Sequence, residues 1–157
     1  MAKLVVGIND LATLHPEVAA EADGWDPSKV FAGSGKKVSW ICKESHTWDD
    51  VICSRTGNGS NCPYCANRKC WTGFNDLKNL FLEIAKEADG WDTTTVIGTS
   101  HQKMSWKCSA GHSWIAAIHE RTQPTKIGCP YCSNKKLWVG FNDLKTLFPD
   151  VAAEANG

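Results

Sequence analysis

Six of the eight cysteines and two of the five histidines form two matched sets of four. In each set a C-x3-H pair is followed by a C-P-Y-C pair, so three thiols and one imidazole are offered as two close pairs. Three cysteines and one histidine are a standard tetrahedral ligand set for Zn²⁺, and a structural site fills all four positions with protein ligands. We therefore predict two structural Zn²⁺ ions as cofactors. The predicted metal ligands are Cys42, His46, Cys62 and Cys65 in the first set and Cys108, His112, Cys129 and Cys132 in the second.

Two other chemistries are open to cysteines at this spacing, namely a disulfide framework and a redox-active C-x-x-C pair. Neither requires the histidine that completes both sets, and for that reason we favour zinc. The sequence shows no signal peptide and no apolar run of the roughly 20 residues that span a membrane. We therefore expect a reducing, cytoplasmic setting and no membrane partner. Cys53 and Cys70 lie outside the sets, opposite His119 and Leu137 in the second copy, and we predict that both are buried free thiols.

Both ligand sets belong to an internal repeat. The first ligand pair recurs after 66 residues and the second after 67, so one inserted residue lies in the loop between the pairs. A unit of this size is small for a self-sufficient core and usually needs a metal or disulfides to fold. A phrase ending in N-D-L occurs three times, at Asn9, Asn75 and Asn142, so three helical segments alternate with two metal segments.

These repeats predict a small, metal-dominated α+β protein. It consists of two tandem zinc-ribbon-like or treble-clef-like modules, each a β-hairpin with zinc knuckles, separated and capped by short helical segments. The predicted division is an N-terminal helical cap at residues 1–24, a zinc module with its following helix at 25–90, and a second zinc module with a C-terminal helical cap at 91–157. The chain is either an array with a helical cap at each end or a piece of a longer array.

The helical segments are expected to begin at the asparagine of each N-D-L phrase, because asparagine is a good N-cap and aspartate suits the first turn. Pro16 and Pro149 predict a break after the first turn, whereas Leu82 leaves the middle segment free to continue. Short strands are predicted on both sides of the first ligand pair, at Val38–Ile41 and Trp48–Ser54 in the first copy and at Met104–Lys107 and Trp114–Glu120 in the second.

A fixed order of motifs runs through both copies: W-x-C-x3-H-x-W, an Arg-Thr pair, C-P-x-C and G-x-N-D-L. This order resembles the tandem "probable zinc-ribbon domain" family, a domain of unknown function with treble-clef or zinc-ribbon character. The resemblance covers nearly the whole chain and implies that the eight residues named above are the zinc ligands. Ser45 departs from the family's usual glycine beside His46, whereas the second copy keeps Gly111. Some members of the family are fused to nuclease-like domains, which implies a nucleic-acid context without an established activity.

The formal net charge is zero, which argues against a strong non-specific binder of polyanions. The charge is nevertheless segregated along the chain. Residues 33–71 carry six basic against three acidic side chains, and residues 99–138 carry six against one, while the helical segments are acidic. Each basic metal segment has the charge to neutralise a few phosphates, although the same lysines would also make an ordinary solvated face.

We predict a zinc-binding tandem repeat that binds nucleic acid, DNA more than RNA, through its basic surfaces. The candidate contacts are Arg55, Arg68, Lys69, Arg121, Lys135 and Lys136, with Trp71 and Trp138 as candidates for base stacking. Arg55 and Arg121 have an alternative, structural interpretation, in which each stacks on a tryptophan or bonds loop carbonyls. Most of the eight tryptophans are expected to form the core.

The alternative function is a protein-interaction or scaffolding array without catalysis. An enzyme is not expected, and neither is a small-molecule substrate, because four good protein ligands leave no open position on the metal. Asp49 and Asp50 near the first site are replaced by Ile115 and Ala116 near the second, so the copies share no acid there. An HNH-type nuclease would need a histidine and an acid in both copies, and the sequence offers no shared pair.

Overall fold

A computed structural model describes residues 2–155. The chain divides into two compact units, Met1–Lys69 and Cys70–Gly157, called unit 1 and unit 2 below. The elements of unit 1 are α1 (Leu11–Leu14), α2 (Pro16–Ala19), a 3-10 helix (Pro27–Lys29), β1 (Lys37–Ile41), β2 (Thr47–Val51) and α3 (Ile52–Gly57). Those of unit 2 are α4 (Leu77–Leu80), α5 (Leu82–Ala85), β3 (Lys103–Lys107), β4 (Ser113–Ala117), α6 (Ile118–Thr122), α7 (Leu144–Leu147) and α8 (Pro149–Ala153). Within the described part of the chain, none of these helices has the length and apolar character needed to cross a bilayer.

Each unit contains one two-stranded antiparallel hairpin, and the two hairpins have the same register. Trp40 lies opposite Trp48 in unit 1, and Trp106 lies opposite Trp114 in unit 2. Because side chains alternate along a strand, the tryptophans of each pair share one face, and all four are buried. An isolated hairpin is only marginally stable in water, so each one depends on the elements packed against this face. The arrangement of tandem hairpin modules and short helices confirms the predicted fold class.

The core of each unit is built from equivalent positions. It contains a leucine from the helical pair, two tryptophans from the hairpin, an isoleucine from the following helix and a cysteine from the second ligand pair. These residues are Leu11, Trp40, Trp48, Ile52 and Cys62 in unit 1 and Leu77, Trp106, Trp114, Ile118 and Cys129 in unit 2. In each unit this core therefore connects one helical pair, the hairpin and the helix after the hairpin to the cysteine-rich site.

The first and second helical pairs each pack on the hairpin that follows them, which differs from the predicted domain division. Leu11 lies in the core of unit 1 with Trp40, although the sequence prediction placed it in a separate cap at residues 1–24. Leu77 lies with Trp106, although the prediction assigned it to the first module at 25–90. Along the chain, the boundary between the two units lies instead between Lys69 and Cys70. A repeated sequence has no marked beginning, and only the burial of the leucine shows to which hairpin a helix belongs.

The helical pairs begin one residue later than predicted, with aspartate rather than asparagine as the N-cap. A carboxylate oxygen of Asp10 accepts a hydrogen bond from the backbone N–H three residues later at 2.9 Å, and Asp76 and Asp143 do the same. The asparagines bond backward, as when the side-chain oxygen of Asn9 accepts from the backbone N–H of Val5 at 2.7 Å. The predicted asparagine caps are therefore wrong, because the asparagine side chain is engaged by the preceding turn.

The middle helical pair breaks at the same place as the other two, although it has Leu82 where they have proline. Phe81 ends α4 with φ −135° and ψ 56°, and His15 and Phe148 take nearly the same conformation at the equivalent positions. The expectation that this helix could continue through Leu82 is wrong. Phe81 packs against the core of unit 2, so tertiary packing holds the break without proline.

The returning strands are shorter than predicted, and each leads directly into a helix. β2 ends at Val51, and α3 begins at the next residue, where the N–H of Ile52 donates to the carbonyl of Lys36 at 3.1 Å. Unit 2 repeats this change of direction with the same distance. Arg55 and Arg121 therefore lie on helices rather than at the ends of strands.

Candidate metal centres

The first ligand pair of each site lies on a tight turn at the tip of the hairpin. The N–H of Cys42 donates to the carbonyl of His46 at 3.0 Å, and the N–H of Ser45 donates to the carbonyl of Cys42 at 2.9 Å. Unit 2 repeats both bonds at the same distances. Ser45 has φ 64° where Gly111 has φ 86°, a region of backbone space that is costly for a residue with a Cβ atom. In unit 1 the backbone turn between Cys42 and His46 is therefore strained at Ser45.

The second ligand pair lies on a C-P-Y-C turn that also holds the basic residues after it. The carbonyl of Pro63 accepts hydrogen bonds from the N–H groups of Arg68 at 2.8 Å and Lys69 at 3.1 Å, and Asn67 has φ 53° within the turn. The turn at Pro130 in unit 2 has equivalent bonds. The turn that supplies two metal ligands thus also fixes the backbone of the two cations that follow it.

The ligand atoms have the spacing of a zinc tetrahedron. In unit 1, Nδ1 of His46 lies 3.5 Å from Sγ of Cys42, 3.7 Å from Sγ of Cys62 and 3.4 Å from Sγ of Cys65. The sulfurs of Cys42 and Cys65 are 3.8 Å apart, and the matching distances in unit 2 are identical. Bonds of about 2.3 Å to sulfur and about 2.0 Å to nitrogen give tetrahedral edges of about 3.8 Å for S···S and about 3.5 Å for S···N. The residues present therefore fit Zn²⁺ without rearrangement.

The same separations argue against disulfides, whose sulfurs are about 2.0 Å apart, and all eight cysteines are free thiols. The prediction that the two cysteines outside the ligand sets are both buried is wrong. Cys53 is exposed, because it lies on the side of α3 that faces away from Ile52 and Arg55, which are buried. Cys70 is half-buried, and burial, with the charges of nearby carboxylates, raises the pKa of its thiol.

The thiols of each cluster shift one another's pKa values, one downward and another upward. Burial, followed by hydrogen bonds and charge repulsion from Cys62 and Cys42, raises the pKa of Cys65 to about 12. Burial also opposes ionisation of Cys42, but the backbone at His46 and Glu44 and the neighbouring thiols hold the pKa of this thiol below its usual value. The corresponding thiols of unit 2 shift in the same directions. A bound divalent cation supplies the positive charge that allows all three sulfurs to ionise together.

A buried arginine ties the helical pair to the hairpin in each unit. Arg55 is 5% exposed and forms an ion pair with Glu21. Its guanidinium carbon lies 4.9 Å from the ring centroid of Trp40 and 5.2 Å from that of Trp48, and Arg121 repeats the arrangement in unit 2. This geometry agrees with the structural interpretation of the two arginines, since their charges are engaged inside the protein.

Sequence reasoning missed the acidic partners of these arginines, Glu21 and Glu87. Each lies 34 residues before its arginine, within the phrase E-A-D-G-W that occurs in both copies. The repetition of that phrase was the available signal. It could not be interpreted without the structure, because an acidic residue near a helix end is ordinary on a protein surface.

Aromatic side chains cover the ligand imidazole of unit 2. The ring centroid of His112 lies 4.9 Å from that of Trp138 and 4.3 Å from that of Phe141, and Tyr131 contacts Trp138 at 4.8 Å. Trp138 is thus part of the shell around the metal site, although 37% of the residue stays exposed. Trp71, the other predicted stacking residue, is half-buried. The basic residues predicted on the second turns, Arg68, Lys69, Lys135 and Lys136, are all exposed.

Comparison with protein families agrees with this geometry. A family model described as "Probable Treble clef zinc finger domain" matches the chain twice in tandem, at residues 16–68 and 83–135. Each match contains the four ligands of one cluster, which identifies the clusters as two zinc sites. No curated protein matches the chain. The two matches together cover most of the sequence, and the chain therefore belongs to the probable treble clef zinc finger domain family, of which it contains two modules in tandem.

Proposed function

We propose that this chain is a non-catalytic, zinc-stabilised repeat that binds duplex DNA through exposed basic residues beside each metal site. The observation that carries the proposal is the position of Arg68, Lys69, Lys135 and Lys136, which are exposed and directly follow the turns that supply two zinc ligands each. Cations on a turn that the metal fixes lose little backbone entropy when they contact phosphates. Phosphate contacts of this kind supply most of the affinity of non-specific DNA binding.

The coordination geometry supports a structural rather than a catalytic role for the zinc. A catalytic zinc keeps one position open for water or substrate. Here three sulfurs and one nitrogen have the spacings of a complete tetrahedron, and the imidazoles of His46 and His112 are 2% and 3% exposed. A substrate would have to displace a buried protein ligand to reach the metal.

The proposed DNA surface is smaller than the set of residues singled out in the sequence. Arg55 and Arg121 are left out, because each is 5% exposed and already paired with a glutamate. Trp138 is retained as a candidate for base or sugar contact, because it follows Lys136 closely and remains partly exposed. Within each unit, the exposed cations after the second ligand pair are the centre of the proposed surface.

The test is fluorescence anisotropy with a labelled DNA duplex and the zinc-loaded full chain across a salt series. We expect binding at low salt that weakens linearly in a plot of log K against log salt. Changing all four of the exposed cations to glutamine should lower the slope by at most about four, since each phosphate contact contributes roughly 0.9. Absence of binding at low salt, or a slope unaffected by the quadruple change, would contradict the proposal.

A protein partner is the second candidate function. It is favoured by the apolar side chains that α7, α8 and the segment before them expose, among which Val139 is 81%, Phe148 58% and Val151 56% exposed. Nuclease treatment separates the two functions: a complex that survives complete digestion of nucleic acid is a protein complex, and one that disappears depends on DNA or RNA.

A further inference from the structure

The basic turns of the two units have different electrostatic surroundings, and we infer that DNA binding is concentrated in unit 2, whereas carboxylates of unit 1 neutralise its own cations. This inference rests on the proposed function and makes it specific to one part of the chain. Each residue of one hairpin has an equivalent residue in the other, because both hairpins have the same register and the same tryptophan pairs.

In unit 1 the basic turn shares a groove with two carboxylates. This groove has a volume of about 280 Å³, and its lining includes Asp49, Asp50, Arg68 and Lys69. Asp50 is held in place by a hydrogen bond that its carboxylate accepts from the hydroxyl of Ser60 at 2.9 Å. The groove therefore contains two negative charges together with the two cations that the proposed function assigns to phosphate, and the charges of its lining sum to zero.

A second groove of unit 1 has the cationic and hydroxyl side chains that a phosphate requires, but it also contains one carboxylate. It has a volume of about 400 Å³ and is lined by two lysines, three hydroxyl-bearing side chains, Trp48 and Asp49. The lysines and hydroxyl-bearing residues are Lys37, Lys69, Ser39, Thr47 and Tyr64. Asp49 is exposed and lines both grooves, so it opposes an anion in either one.

Unit 2 keeps the favourable groups and lacks the unfavourable ones. The counterparts of the lysines and hydroxyl-bearing residues are Lys103, Lys136, Ser105, Ser113 and Tyr131. Ile115 replaces Asp49 and is 71% exposed, and Ala116 replaces Asp50. Cations and hydroxyls without a carboxylate at these positions, beside an exposed isoleucine that can contact a sugar, suit the backbone of DNA.

The acids that contact the central serines of the two hairpins are matched between the units. Asp23 meets the hydroxyl of Ser39 at 3.4 Å, and Asp89 meets that of Ser105 at the same distance, so their effects are common to both units. One carboxylate about 7 Å from a phosphate weakens binding about threefold to eightfold, for effective dielectric constants between about 80 and 40. The exchange of Asp49 for Ile115 is therefore large enough to measure.

Reciprocal substitutions test the inference in the zinc-loaded full chain, with anisotropy of a labelled duplex as the readout. Ile115→Asp gives unit 2 the acid of unit 1 and should weaken binding about threefold to eightfold. Asp49→Ile makes the opposite change and should strengthen binding, because it removes the charge that opposes phosphate in unit 1. Both side chains are exposed, so both variants should keep two equivalents of zinc and the wild-type amide spectrum.

Two lysine pairs locate the site. K103Q/K136Q should weaken binding at least tenfold and lower the salt slope by about two, whereas K37Q/K69Q should weaken it less than threefold. The control K86Q/K145Q removes the same charge from helical segments and should resemble K37Q/K69Q. Equal losses from the two groove pairs, or an unchanged affinity of Ile115→Asp, would overturn the inference and leave DNA binding itself intact. Absence of wild-type binding at low salt would instead overturn the proposed function as well.

Discussion

The second and third helical pairs have nearly the same local structure in very different surroundings. Helices α4 and α7 both follow an aspartate N-cap and end at a phenylalanine with φ near −136°. Leu77 of α4 is 0% exposed and belongs to the core of unit 2, whereas Leu144 of α7 is 51% exposed. The second pair (α4 and α5) is called the covered pair below, and the third pair (α7 and α8) the uncovered pair.

The comparison of the two pairs shows that these helices begin and end in the same way in both, whereas contacts with the core differ between them. Local signals, the aspartate cap and the break after one turn, are present in both pairs. Helices of four or five residues are far below the length at which a helix is stable in water by itself. We therefore expect the covered pair to draw its stability from the hairpin, and matched substitutions in the two pairs should have unequal effects.

Removal of zinc is the largest change. A structural zinc site contributes about 10–16 kcal/mol in zinc-finger peptides, and a whole domain is stable by only about 5–15 kcal/mol, so the hairpins should unfold without metal. A strong chelator should therefore abolish the near-ultraviolet signal of the buried tryptophans. Amide resonances of the covered pair should collapse to random-coil positions, whereas those of residues 149–153 should move little. Tryptophan signals that persist after complete zinc removal would contradict the expectation.

Truncation of the equivalent leucines compares the two pairs directly. Leu77→Ala should lower the free energy of unfolding by about 2–5 kcal/mol, because it leaves a cavity against Trp106 in the core. Leu144→Ala removes the same atoms from an exposed position and should cost less than about 0.5 kcal/mol. Urea denaturation of the zinc-loaded chain measures both values. Similar losses for the two variants would show that α7 is stabilised by a buried contact after all.

The ion pair at the end of the covered pair should give the next largest difference. Glu87→Gln leaves the buried guanidinium of Arg121 without its partner; the glutamate side chain is 34% exposed, so solvent screening limits the cost to about 1–3 kcal/mol. Glu154 is the equivalent residue of the uncovered pair and is exposed. Glu154→Gln should leave the urea midpoint unchanged. A large effect of Glu154→Gln, or none of Glu87→Gln, would break the comparison.

The helix caps should give the smallest difference. Asp76→Ala removes the side chain that accepts from the N–H of Asn79 and should cost about 1 kcal/mol. Asp143→Ala removes the same bond from the uncovered pair, and its effect on global unfolding should be smaller because that pair contributes little to the core. Amide hydrogen exchange distinguishes the two results, since loss of the second cap should speed exchange only within α7. A global loss of protection from Asp143→Ala would contradict this account.

Much of the metal chemistry could be predicted from the sequence, because it depends on residues close together in the chain. A C-x3-H pair and a C-P-Y-C pair each define a tight turn, and two such pairs supply one tetrahedron, as the distances around His46 and His112 show. The fold class followed from the same spacing and from the repeat. The N-caps were misplaced by one residue, because Asn9 and Asp10 are both good caps and the competition is decided by the turn before them.

What only the tertiary structure decided concerns residues that meet across long separations. The sequence could not show that Arg55 is buried against Glu21, that Phe81 ends its helix without a proline, or that Cys53 is exposed, because each outcome depends on the packing of distant elements. It also could not assign a helical pair to the hairpin after it, since a repeat reads the same from any starting point. The ligand set was thus determined locally by spacing, and the burial of every other key residue was determined by the core that forms around the metal.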